Sequence, residues 1–420
     1  MQTVNDNTAA DRAAASGLYG GMDADALFAK VAEIAVAHPG NLCTKFLTRE
    51  IFDAYGDDEK AVLYRCVNTS IENPGSSVGC YAMQPNDYST FGKFFDPLIR
   101  QYHGATAGAI HVTDWDVSAV GEGGVLNVAE LGLGELSMRV RVGRNLKQYN
   151  LPGMMDKAER IAFEMTMLTV FRVLMNDPDY GGTIYSLTPE FADGEENPNL
   201  ISFEKYTELV KAHAMFKDME ADPFLKSSGI SSDWPYGRGS WQSEDGACMI
   251  WFGEEDQLRI MCMKKGTVLS EVYERLNKLL QAVEAVDGID FAFSDDYGYV
   301  TSCPSNLGTG MRASVQMKVP NLTKDGTVSR VEEVASPLGL SIRGAGGEHT
   351  PIGADGTVDV SPSARLFIRE CEIIEKLYTG VKLLLAAEKA AAAAAAANDD
   401  VAMYALVIQH VFIFFYSMRA

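Results

Sequence analysis

Arginines set in apolar strand patterns, acids crowded into one turn and a cysteine at the mouth of a glycine-rich loop are the residues of this sequence that can do chemistry. In Leu136-Ser-Met-Arg-Val-Arg-Val142, Arg139 and Arg141 share one strand face, and Met138, Val140 and Val142 share the other. The two arginine Cα atoms would lie roughly 6.6 Å apart, which lets two guanidinium groups grip adjacent phosphates. Arg259 and Arg312 each sit in a predicted strand between apolar neighbours, where an arginine needs an anionic partner. A native carboxylate can fill that role as well as a ligand can. Glu254-Glu255-Asp256 packs three acids into one tight turn. It reads either as a solvated turn or as a source of a carboxylate that holds and deprotonates a cationic nucleophile. Glu348, in Arg343-Gly-Ala-Gly-Gly-Glu-His349, is a second candidate, and the glycines there let a loop close over a ligand. Cys303 opens the segment Cys303-Pro-Ser-Asn-Leu-Gly-Thr-Gly-Met-Arg312. The Ser305 hydroxyl and nearby arginines would favour its thiolate; the alternative is a buried, inert thiol.

The elements that position these groups change character along the chain. Residues 1–21 are small, polar and Gly-rich and read as disordered. Helices are expected from Asp23 to the His38-Pro39-Gly40 stop, over Thr48–Tyr55, from about Glu59 to Ile71 and from about Asp87 to Tyr102. That makes 22–103 a small all-helical domain. Residues 104–135, rich in glycine, read as a linker. From 136 to 389 strand alternation takes over. Strands are expected at 136–142, Cys248–Phe252, Leu258–Met263, Tyr299–Cys303 and Met311–Val319, with helices over Met154–Asn176 and Val268–Val286. Strands joined by hairpin-length turns predict a mainly antiparallel sheet flanked by helices, an α+β fold. Residues 390–420 join a polyalanine run to the apolar stretch Val401–Tyr416, close to the shortest membrane spans of roughly 17 residues. A packed helix, a spurious end and a membrane-touching tail anchor all stay open for it.

Composition removes several function classes. The 420 residues carry 36 basic and 57 acidic side chains, a net charge of −21. Such a chain lacks the basic footprint of nucleic-acid binding. Its seven cysteines include no CxxC pair and read as the reduced thiols of a cytoplasmic protein without a secretory signal. There is no GxxxxGK[ST], no HExxH and no protein-kinase signature, and the six histidines have no metal-ligand spacing.

Taken together, these segments resemble the ATP:guanidino phosphotransferases, or phosphagen kinases, of the arginine kinase type. The resemblance rests on CPSNLGT at 303–309, SMRVRVGRNL, WPYGRG at 234–239, GEEDQLRIMCM at 253–263, RGAGGEHT at 343–350 and FDPLIRQYHG at 95–104, in order over about residues 23–389. It implies that Arg139, Arg141, Arg259, Arg312 and Arg343 bind the phosphates of MgATP or MgADP, with Arg238 close by and His213 contacting the nucleotide. Glu255 and Glu348 would bracket a guanidinium beside the reactive Cys303, with Mg²⁺ held mainly through the nucleotide. The loop Ser76-Ser77-Val78-Gly79-Cys80-Tyr81 has the short length of arginine kinases, so Ser76, Ser77, Val78, Gly79 and Tyr81 would receive the amino-acid end of L-arginine. Tyr102 also matches arginine-specific members, and taurocyamine is the nearest rival substrate. A protein-arginine kinase and an inactive binding paralogue are the distant alternatives; the assembly would be a monomer or homodimer. Departures from the family pattern are Gln257 and Gln316 in place of histidines, Gly346 in place of an arginine, and Gly75 with Pro223 in place of an Asp–Arg pair.

Overall fold

The computed structural model describes residues 19–118, 124–344, 352–353 and 355–397. Glu348, Gly346, nearly all of the segment expected to be disordered and the apolar tail lie outside the described residues. The chain divides into two compact units, each gathered from separate stretches. The first takes residues 1–111, 143–260 and 282–310, and the second 112–142, 261–281 and 311–420. Two strands run from one unit into the other, β1 (Leu136–Arg144) and β5 (Leu258–Gly266).

The first unit begins with helices α1 (Ala24–Ala37), α2 (Leu42–Phe46), α3 (Arg49–Asp53), α4 (Asp57–Glu72), α5 (Asp87–Thr90) and α6 (Gly92–His103). Side-chain hydrogen bonds mark the starts of the first four. The Asp23 carboxylate accepts the Ala26 N–H at 2.8 Å, the Thr48 hydroxyl accepts that of Ile51 at 3.2 Å, and Glu59 reaches back to the Gly56 N–H at 3.0 Å. The single helix expected over 87–102 is two, broken at Phe91, whose ring is buried edge-on against Tyr55 at 5.1 Å. Burying that ring outweighs one uninterrupted helical ladder.

The same unit holds α7 (Lys157–Asn176), the antiparallel ladder β2 (Thr183–Ser186), β3 (Gly239–Gln242) and β4 (Cys248–Phe252), and the short helices α8 (Phe203–Lys211) and α9 (Pro223–Ser227). Strands β2 and β3 are short, and β3 begins at a glycine, so their alternation is too brief to read from sequence. A two-stranded ribbon, β6 (Phe293–Ser294) with β7 (Gly298–Tyr299), precedes the Cys303 loop. The strand expected over 299–303 stops at Tyr299, and Pro304–Asn306 makes a 3₁₀ turn instead.

In the second unit an antiparallel ladder runs β1, β8 (Met311–Lys318), β10 (Thr357–Pro362) and β9 (Leu340–Gly344). It is packed by α11 (Ser329–Ala335), which lies on β9, and α12 (Glu370–Ala397), which lies on β8 and β10. α12 carries the polyalanine run through Ala397. Most of α10 (Leu269–Glu284) belongs here too, burying Leu269, Val272, Tyr273, Leu276, Leu279 and Leu280 at helical spacing. The expected linker is partly packed in this unit. Trp115 stacks on Tyr273 at 5.0 Å, and the Val128 N–H donates to the Thr267 carbonyl at 2.8 Å. Among the described residues no helix is long and apolar enough to cross a membrane.

The turn that ends β4 depends on a glycine. Gly253 has φ +75°, and a Cβ there would meet the Gly237 carbonyl oxygen at 2.0 Å. Gly246, with φ +68°, faces open space. Gly246→Ala is expected to cost about 1 kcal/mol from the left-handed backbone alone. Gly253→Ala should cost at least about 2 kcal/mol more, because backbone must also move. Urea unfolding of the two variants checks this, and equal losses would show that the close approach is relieved cheaply.

Candidate active site

Register places four arginines on one face of the second unit's ladder. Arg141 stands directly opposite Arg312, and Arg139 opposite Ser314. Along β8, Arg312, Ser314 and Gln316 alternate onto one face. Gln316 is opposite Asp359, which is opposite Arg343. Arg139, Arg141, Arg312 and Arg343 therefore share a face, while Met138, Val140, Val142, Ala313, Val315 and Ile342 are buried on the other. Two like charges directly opposite on neighbouring strands repel. Asp359 is the one acid within these four strands, and it bonds the Arg312 Nη2 at 2.5 Å with both side chains buried. Four arginines on one strand face form a surface suited to a polyanion. Gln316 lies on this same face.

The acids and the thiol belong to the first unit. The hairpin from β4 to β5 is closed by the Gly253 N–H donating to the Gln257 carbonyl at 2.8 Å. Arg259, at the start of β5, donates to Glu254 at 2.8 Å and to Glu255 at 3.4 Å. Burial opposes the Arg259 charge, but Glu254, Glu255 and Asp256 more than offset it and hold the guanidinium above its ordinary pKa. The Glu255 contact is the longer of the two.

Asp256 is no solvated turn acid. It is buried, and its Oδ1 accepts from Asn145 Nδ2 at 2.8 Å and from the Ser302 N–H at 2.7 Å. Burial pushes its carboxyl above the usual range, against those two bonds. Asp256 thus ties the acid turn to the residue before Cys303, a role that three consecutive acids did not disclose. The signal within reach was Asn145, in the SMRVRVGRNL segment.

Cys303 is 8% exposed, and its Sγ lies 3.0 Å from the Ser305 hydroxyl. Of the two readings of this thiol, burial favours the neutral one. Burial first, then the charge of Glu255, pushes the thiol up to about 12, although Ser305 favours the anion. The sequence shows the neighbouring hydroxyl but not the burial. Tyr81 shares this environment: burial first, then Cys303 and Glu255, raises its phenol.

Tyr81 ends the 76–81 loop, which is pinned by its own carbonyls. Ser77, Val78 and Gly79 accept the N–H groups of Leu42, Cys43 and Ser70 at 2.9, 3.2 and 3.0 Å, and the Ser76 hydroxyl accepts the Gly79 N–H at 3.0 Å. The Ala82 N–H then donates to the Ser302 carbonyl at 2.7 Å, joining this loop to the Cys303 segment. His213 stands exposed on a left-handed turn after α8, and the contacts described for the first unit do not join it to the acids.

Arg238, which the resemblance puts near the phosphate-binding arginines, serves the fold. It is fully buried and donates to the carbonyls of Ile230, Ser232, Asp233 and Tyr236 at 2.6–3.3 Å. It is a strut for the 230–236 loop. Tyr102 is partly exposed and packs edge-on to His103. Among the described residues no cluster of three or more His, Cys, Asp or Glu side chains could hold a metal.

With pKa near 12, thiolate rises about tenfold per pH unit well below that value. Iodoacetamide labelling of Cys303 in ligand-free protein should therefore climb about tenfold per unit from pH 7 to 9. A plateau by pH 8 would contradict the burial argument.

Known proteins match this chain over most of its length. Residues 38–100 match the model of the ATP:guanido phosphotransferase N-terminal domain, and residues 179–391 that of the C-terminal catalytic domain. The chain is 34% identical over 351 residues to "Arginine kinase Oct f 2" of Amphioctopus fangsiao, covering 82% of this chain and 93% of that protein. It is also 34% identical over 353 residues to an arginine kinase of Anthopleura japonica, covering 82% of this chain but only 46% of the longer relative. The substrate-free duplicated taurocyamine kinase from Schistosoma mansoni superposes with TM-score 0.71 at 31% identity, over 87% of this chain and 49% of that one. A lombricine kinase structure superposes with TM-score 0.72 at 26% identity, over 89% and 95%. The chain thus spans about half the length of some relatives and nearly all of others. An α+β chain matched over both domains, and 34% identical to such a relative over 82% of its length, belongs to the ATP:guanido phosphotransferase family.

Proposed function

We propose that this enzyme reversibly transfers the γ-phosphoryl group of MgATP to the guanidinium of L-arginine, as a cytoplasmic phosphagen kinase. The arginine face of β1, β8 and β9 carries the reading, because guanidinium groups gathered on one strand face suit the charge of a triphosphate. In this reading Arg139, Arg141, Arg259, Arg312 and Arg343 hold the phosphates, and His213 adds a nucleotide contact. Mg²⁺, carried by the nucleotide, neutralises phosphate oxygens as a Lewis acid.

A guanidinium is a poor nucleophile, protonated with a pKa above about 12. Glu255 and Glu348 align it and accept its proton, which is the part of the work that positioning and general-base action can supply. The neutral Cys303 thiol fits this sequence of events. An arriving cation favours the thiolate over the thiol; the thiol proton passes to solvent, and the thiolate adds negative potential beside the substrate. Ser76, Ser77, Val78, Gly79 and Tyr81 receive the amino-acid end, and the shortness of that loop favours arginine. Similarity to a taurocyamine kinase structure supports a second reading with taurocyamine as substrate.

ADP formation measured with MgATP and arginine, taurocyamine, lombricine, glycocyamine and creatine in turn should be fastest with arginine. No turnover of any of them would sink the proposal. Glu255→Gln should lower turnover by about 10²–10⁴-fold, the range of general-base catalysis. Activity close to that of the unaltered enzyme would remove Glu255 from its role.

A further inference from the structure

The acid hairpin has a second anchor besides Asp256. Gln257 is fully buried, and both ends of its amide are engaged. Nε2 donates to the Asn150 carbonyl at 2.8 Å, and Oε1 accepts the Leu146 N–H at 2.8 Å. Its backbone N–H donates to Asn145 Oδ1 at 2.8 Å, while its carbonyl takes the Gly253 N–H that closes the hairpin. One residue thus fastens the turn bearing Glu254 and Glu255 to the 145–150 segment at three points and closes the turn at a fourth.

The chemistry of the position is specific. A side chain there must donate to a carbonyl and accept from an N–H at the same time. A neutral amide does both at any pH. A carboxylate cannot donate, and an imidazole loses its acceptor nitrogen when protonated. Left unmatched, either buried partner costs more than the bond itself was worth.

We propose that Gln257 is a positioning residue for Glu255, and that its non-titrating amide keeps the hairpin in place independently of pH. The proposal rests on the reading of Glu255 as the base that aligns the guanidinium.

Two measurements test it. Gln257→Glu keeps the shape of the side chain. Protonated, the new carboxyl can donate to Asn150 as the amide does. Ionised, it turns a charge on that carbonyl, and burial raises the pH at which this happens. The ratio of variant to wild-type kcat should fall about tenfold or more between pH 6 and 8.5, with the KM for ATP unchanged. A ratio that stays constant over that range overturns the proposal.

Where Gln257→Glu does not fold, Gln257→Leu read without turnover decides. In ligand-free protein, Cys303 is labelled with iodoacetamide and with iodoacetate, and the Cys303 peptide is quantified by mass. The two reagents differ by one charge. Their rate ratio cancels thiolate fraction and access and reports the field of Glu255. Glu255→Gln sets the reference shift towards iodoacetate. Gln257→Leu should shift the ratio the same way, by about threefold or more. A ratio equal to that of the wild type overturns the role of Gln257. A shifted ratio in a protein that phosphorylates no guanidine would refute the proposed activity and leave the positioning role standing.

Discussion

Like charge held at close quarters is the constraint on which the rest of this structure depends. Arg141 and Arg312 are cross-strand neighbours, and Arg139 and Arg343 share their face. Repulsion across a strand pair is destabilising, so the arrangement needs a rigid support. The support is the opposite face: Met138, Val140, Val142, Val315 and Ile342 bury against the unit's core, and Asp359 neutralises Arg312 at its centre. A one-residue slip in β1 would send both arginines into that core. The ladder that binds charge is therefore held in register by its apolar side.

The first unit solves the opposite problem, keeping acids together. Glu254, Glu255 and Asp256 are consecutive, yet each has a different environment. Glu254 is paired with Arg259, Glu255 makes the longer contact to the same guanidinium, and Asp256 is buried under Asn145 and Ser302. The bonds of Asp256 fix the hairpin and the Cys303 segment relative to each other. Because burial and then the charge of Glu255 disfavour the thiolate, Cys303 reports the electrostatic state of that hairpin.

Much of this was legible in residue types. The period-two alternation at 136–142 and 311–319 identified the strands and put Arg139, Arg141 and Arg312 on a polar face, because a half-buried strand must alternate. The Gly253 turn was visible for the same reason that it is conformationally demanding. What was not legible depends on contacts distant in sequence. Arg343 joins the other arginines only through the pairing of β9 with β10. Asp256, Gln257 and Arg238 look like surface residues in a polar context, and only burial reveals them as struts. The charge of Cys303 was not legible, because a sequence lists its neighbours without the solvent it loses. The break at Phe91 comes from one ring seeking the core, which helical periodicity does not register.

The central claim is that the arginine face exists for a nucleotide polyphosphate, and calorimetric titration of MgADP into the full-length protein tests it most directly. Replacing Arg141 or Arg312 by methionine keeps the stem and removes the charged fork, so each should weaken binding by at least about tenfold. The wild-type affinity should also fall as salt is raised. Nucleotide affinity unchanged by either substitution would contradict the account.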